Sequence, residues 1–210
     1  DVELLLNATR SEILKALGRH RKMLGQTDNF LLFYAGHGMI DKDTGVGYWQ
    51  PIDSEFDDAT QWIQSERITN DLTGMKANNI LLIADSCYSG AIVPIFRSSG
   101  LPDLSNQTRS QYLERLHSKK SRLALTSGGL EPVLDSIGSA SNSIFTKALV
   151  SFLNTKNDIT TATDLYLHVR EQVIPLASRL SNQTPQLARI VAAGDDEGGD
   201  FLFVPVPRKP

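Results

Sequence analysis

The chain has 210 residues, 40% of them apolar, which is enough for one α/β domain with a real core and too little for two comfortable ones. Its 21 Lys and Arg against 24 Asp and Glu leave a formal charge of -3, with no basic excess to neutralise phosphates, so nucleic acid is excluded as the default partner. No apolar run approaches the roughly 20 residues of a spanning helix, and no basic-then-apolar leader opens the chain, so a soluble protein without a membrane partner is expected. Cys87 is the sole cysteine and cannot form an internal disulfide, which favours a reducing, cytoplasmic location.

In chain order, Thr9 and Glu12 make a capping box ahead of Ile13, Ala16, Leu17 and Leu24, which recur on one helical face. That helix leads into a continuous apolar run at 30–35; further such runs lie at 80–84 and at 123–125 with Thr126 following. Continuous rather than alternating apolar runs predict strands buried on both faces. Residues 97–122 break the rhythm with Ser98-Ser99-Gly100, Pro102 and six Lys or Arg against two acids. They read as a long exposed basic connection with a short helix at 112–116. Behind Ser143, the residues Ile144, Phe145, Ala148, Leu149 and Phe152 repeat at helical spacing, and Leu165, Val169, Val173, Leu176 and Leu180 do so before Pro185. Runs at 190–193 and 201–204 are candidate later strands, separated by the acidic turn 195–199, which reads as a solvated hairpin loop with a cation site as the alternative. Strands alternating with helices predict an α/β fold, a mostly parallel sheet in an αβα sandwich.

In such sheets, functional groups gather past the carboxyl ends of the strands. The 30–35 strand runs into Gly36-His37-Gly38, and the 80–84 strand into Asp85-Ser86-Cys87-Tyr88-Ser89-Gly90. If the two strands are parallel neighbours about 4.8 Å apart, His37 and Cys87 can face each other. An imidazole beside a thiol raises its thiolate fraction and later protonates a leaving amine, which is acyl-transfer chemistry. The amides of Gly38 and Cys87 are the natural oxyanion donors. Taken singly, a cysteine at a strand end is more often a small core residue, and it is the pairing with His37 at an equivalent strand end that favours catalysis. His20, His117 and His168 fall on predicted helical surfaces or in the basic connection and read as exposed structural residues. The lack of a second cysteine argues against a dithiol oxidoreductase.

Tyr34-Ala35-Gly36-His37-Gly38 followed by Asp85-Ser86-Cys87-Tyr88-Ser89-Gly90 resembles the caspase superfamily, in particular its metacaspase and bacterial orthocaspase branch (peptidase C14). Fifty residues separate His37 from Cys87, the separation caspases have. Asp-Ser-Cys replaces the animal Gln-Ala-Cys, and Tyr88 stands where metacaspases commonly carry His. Similarity continues through 47–54, 126–129, 143–149 and 183–186, so it spans nearly the whole chain. The resemblance implies a single caspase-like catalytic domain over 1–210, with a large-subunit-like part at 1–96, the connection at 97–122 and a small-subunit-like part at 123–210. It implies a cysteine endopeptidase acting on protein or peptide substrates. Family members carry a strand and helix ahead of the position of Asp1, so the first sheet strand is expected to be absent here and to belong to a longer polypeptide, a separate N-terminal chain or a regulatory region.

In metacaspases the Asp at the position of Asp85 lines the pocket for the residue before the cut, beside the residue matching Ser86, and a second Asp assists, for which Asp135 is the nearest match. A pocket carboxylate selects a cationic side chain, so a basic P1 residue is expected. The alternative for Asp85 is a cap of the following turn. By the same logic Arg97, Arg109, Arg115, Lys119, Lys120 and Arg122 are candidate self-cleavage points, against a plain solvated loop. No cofactor is implied; calcium activates many metacaspases, but no metal site can be assigned from these residues. The competing readings are a catalytically silent caspase-like scaffold and a thiol hydrolase of small amides or esters.

Overall fold

The computed structural model describes residues 1–87, 108–129, 142–177, 183–196 and 198–206. Four strands, β1 (Asn29–Ala35), β5 (Asn79–Asp85), β6 (Ser121–Thr126) and β8 (Gln186–Arg189), form the central sheet in the order β1-β5-β6-β8. The first three are parallel, with Ala35 opposite Asp85 and Ala84 opposite Thr126, and β8 runs antiparallel to β6. The continuous apolar runs arise because helices cover both faces. Ile80, Leu82 and Ala84 pack in one cluster with Leu17 of α1 (Arg10–Met23) and Ile68 and Leu72 of α2 (Ser65–Thr73). Their neighbours Leu81 and Ile83 pack in another with Phe145 and Phe152 of α4 (Ile144–Thr155) and Leu165 and Val169 of α5 (Ala162–Ala177). Each such fully buried aliphatic side chain stabilises the fold by about 1.5–3 kcal/mol.

Helix ends follow local chemistry. The Thr9 capping box forms, Thr9 Oγ1 accepting from Glu12 N at 3.3 Å and Glu12 Oε2 accepting from Thr9 N at 2.8 Å. Ser143 caps α4, its Oγ accepting from Thr146 N at 2.9 Å. In the connection, the short helix is α3 (Arg109–His117), longer than the 112–116 expected because Thr108 and Gln111 make a second capping box. His117 is exposed, but His20 and His168 are half-buried, each tilted against a phenylalanine, Phe30 and Phe152, at 5.2 Å. Among the described residues no helix is long and apolar enough to cross a membrane.

Three expectations are corrected. The 190–193 run is not a strand: the strand is β8 just before it, and Val191–Ala193 is a single 3-10 turn closed by Gly194 at φ +77. Nor is the acidic turn a solvated hairpin. It joins β8 of the central sheet to β9 (Leu202–Phe203), which pairs with β7 (Thr160–Thr161) elsewhere. The Asp195 side chain is 2% exposed, with Oδ1 taken by Arg122 N at 2.7 Å and Oδ2 by Arg189 Nη1 at 2.8 Å, so this carboxylate is a clasp within the fold.

The third correction concerns Arg122, which lies inside β6 and is 0% exposed rather than in the exposed connection. Its guanidinium donates to the carbonyls of Asn78 (2.7 Å) and Met75 (3.3 Å), beyond the C-terminus of α2. A protease needs an extended, reachable segment, and Arg122 as folded does not offer one. Lys120 precedes the strand with its N–H and C=O both bonded to Asp196, Lys119 is half-buried, and Arg115 sits in the last turn of α3. Arg109 is the first residue of α3 and donates to Ile159 O at 2.8 Å. Arg97 lies outside the described residues.

At the other side of the central sheet, β1 has no strand partner on its outer edge among the described residues, and its Leu31 and Phe33 are 40% and 42% exposed. A second, antiparallel sheet of β2 (His37–Ile40), β3 (Gly47–Gln50) and β4 (Ile63–Gln64) was not foreseen. The glycines around His37 read as loop, but β2 begins at His37 itself, paired with Gln50.

Candidate active site

The parallel register carries β1 and β5 to a common edge, where Gly36 N donates to Asp85 O at 3.3 Å, and Ser127 N extends the β5–β6 ladder to Ala84 O at 2.9 Å. Residues 36–38, 85–87 and 127 are thereby gathered at one end of the sheet. The tightest approach is at Gly38: a Cβ there would collide with the Cys87 carbonyl oxygen and Ser86 Oγ, so only glycine lets β2 pass this close over the Cys87 turn. His37 is exposed and Cys87 half-buried.

Sequence reasoning missed the groups that hold this arrangement. The Tyr34 phenol donates to His37 O at 2.7 Å and lies 3.4 Å from Gln50 O, bridging the start of β2 to the end of β3. Its ring stacks on Trp49 at 3.9 Å and 4°. Burial pushes the phenol well above its ordinary pKa, against the Gln50 carbonyl contact, so it stays a donor at every relevant pH. On the other flank, Ser127 Oγ accepts from Ser86 N at 3.2 Å and donates to Ser86 O at 3.4 Å, while Gln183 Nε2 donates to Ser127 O at 2.9 Å. Ser86 Oγ in turn donates to Cys87 O at 3.2 Å. The available signal was the polar residues after the 80–84 and 123–125 runs, Asp85-Ser86 and Thr126-Ser127, which mark strand tips but not partners.

Asp85 is half-buried at the N-terminus of α4, where the helix dipole favours an anion. Its Oδ2 accepts from the hydroxyls of Ser143 and, at 2.6 Å, Thr146. Asp85 thus braces the cap residue of a helix 58 positions away, and no bond to the turn that follows it is seen among the described residues. Asp135 lies outside the described residues. Among those described, no group of three or more His, Cys, Asp or Glu could hold a metal ion. A cavity of about 340 Å³ lies apart from these tips, lined by residues including Phe152, Lys156, Asp164 and His168, and contains none of the strand-tip residues.

A helix-covered, mostly parallel sheet presenting a cysteine and a histidine at adjacent strand tips is the plan of a caspase-like domain. The family model described as the caspase domain matches residues 1–192, and the chain belongs to that family, which is of cysteine-peptidase type. Two solved structures share the fold. Caspase-1 from Spodoptera frugiperda aligns with TM-score 0.58 at 14% identity, covering 90% of this chain and 71% of that one. Protein GSU0716 from Geobacter sulfurreducens aligns with TM-score 0.50 at 20% identity, covering 86% and 72%. No curated protein matches the chain.

Proposed function

We propose that this protein is a cysteine endopeptidase that cuts after Arg or Lys. His37 takes the proton from Cys87 Sγ, and the thiolate attacks the scissile carbonyl to form a C–S bond. The amides of Gly38 and Cys87 hold the oxyanion. Collapse breaks the C–N bond as His37 returns its proton to the leaving amine; water, deprotonated by His37, then hydrolyses the thioester and restores the thiol. The carrying observation is the seat of Gly38 on Cys87 and Ser86, which brings the segment bearing His37 onto the turn bearing the thiol. Basic P1 preference rests on Asp85, fixed through Oδ2 by Ser143 and Thr146, with Oδ1 left to meet the substrate cation. Self-processing within the basic connection is part of the same reading, with Arg122, buried in β6, the candidate least accessible as folded.

The test is incubation with an Arg-containing peptide chloromethylketone followed by mass spectrometry, beside Arg- and Asp-terminated reporters. Adduct on Cys87 and turnover of the Arg reporter alone are the expected results. Turnover of the Asp reporter alone would overturn the specificity, and a Cys87→Ala variant with full biological effect would favour a scaffold.

A further inference from the structure

We infer that Ser127 is a positioning residue that aims the Cys87 amide at the oxyanion; this rests on the peptidase reading above. The Ser86 carbonyl and the Cys87 N–H belong to one peptide unit, and no peptide bond described here is cis. In a planar trans unit the C=O and N–H point in opposite directions, so whatever holds the carbonyl sets the direction of the amide. The Ser86 carbonyl is held by Ser127 Oγ at 3.4 Å, and the same hydroxyl accepts from Ser86 N at 3.2 Å. A single oxygen therefore grips Ser86 from both ends of the residue and leaves the next N–H directed away from β6.

The grip is itself rigid. Ser127 is 0% exposed, its N–H is tied to Ala84 O at 2.9 Å, and its carbonyl accepts at 2.9 Å from Gln183, which is 2% exposed. Beyond the amide, the Cys87 carbonyl is held by Ser86 Oγ at 3.2 Å and backed by Gly38. The peptide planes on both sides of Cys87 are thus fixed, one of them from a residue 41 positions away, just past the end of β6. An oxyanion donor works only if it is oriented before charge develops, and removing one costs about 10²–10³ in kcat. A donor that is retained but misdirected should cost less, about 10- to 100-fold.

The test separates this role from general support of the fold. Alkylation of Cys87 by iodoacetamide displaces iodide and forms no oxyanion, whereas amide hydrolysis must form one. In Ser127→Ala, the alkylation rate is expected within about twofold of wild type, while kcat on an Arg-terminated amide falls about 10- to 100-fold with KM little changed. Ser127→Thr, which keeps the hydroxyl, should recover most of the loss. Gln183→Met removes the outer support of Ser127 O and should show the same split more weakly; it decides the matter if Ser127→Ala does not fold. Wild-type kcat in these variants, or alkylation and hydrolysis falling in parallel, overturns the inference alone. A wild-type protein that is alkylated at Cys87 yet hydrolyses no peptide amide overturns the peptidase reading and the inference with it.

Discussion

Gly38→Ala adds one methyl group where β2 crosses the Cys87 turn. The new Cβ would meet the Cys87 carbonyl oxygen and Ser86 Oγ well inside van der Waals contact. Ser86 Oγ could rotate aside only by giving up its 3.2 Å bond to Cys87 O. The Cys87 carbonyl is backbone and cannot move alone, because Ser127 anchors the preceding residue. Relief therefore comes from β2, which must lift by about 1 Å to restore ordinary contact distances. That motion works against the Tyr34 phenol on His37 O and the pairing of Gly38 with Trp49. Overpacking of this kind costs about 1–3 kcal/mol, or about 3–9 °C in Tm for a domain of this size. A misplacement of about 1 Å between nucleophile and base costs about 10²-fold in rate. Differential scanning calorimetry and kcat on an Arg-terminated reporter measure the two effects. An alanine variant with wild-type Tm and wild-type kcat would refute the close seating of β2 on Cys87.

Arg122→Met leaves the Met75 carbonyl without its buried donor and should destabilise by about 1–3 kcal/mol in urea titration, while mass-mapped processing fragments never end at residue 122; a fragment with that terminus would refute the placement of Arg122. Tyr34→Phe should lower kcat more than it raises KM and cost about 0.5–1.5 kcal/mol of stability, because His37 loses the hydroxyl holding its carbonyl; unchanged kcat would show that the clasp does not position His37. Burial raises the pKa of Asp200 above 3.8 despite hydrogen bonds from Thr163 and Phe201. The stability this carboxyl contributes is therefore fully present below the unfolded value of 3.8 and is lost as pH rises through the higher folded value. Asp200→Asn removes that loss, so urea midpoints of wild type and variant should diverge with rising pH above 3.8, the variant declining less; parallel curves would refute it.

Much of the fold was legible because it is written between chain neighbours. The capping box at Thr9 and Glu12, the apolar run of β5 and the helical repeat behind Ser143 depend on residues a few positions apart. The placement of His37 and Cys87 past strand ends followed from the same local patterns together with the rule that parallel sheets gather function at their carboxyl edge. What required tertiary structure was the identity of each polar partner. Arg122 looks like a surface arginine in a basic stretch, yet it is buried because the carbonyls of Asn78 and Met75, 44 and 47 residues earlier, end beside β6. Asp195 in an acidic turn and Ser127 after an apolar run carry no local sign of being a clasp or an anchor. Periodicity and capping are properties of a segment, whereas satisfying a buried hydrogen-bonding group depends on which distant backbone the fold delivers to it, and that is decided only when the sheet assembles.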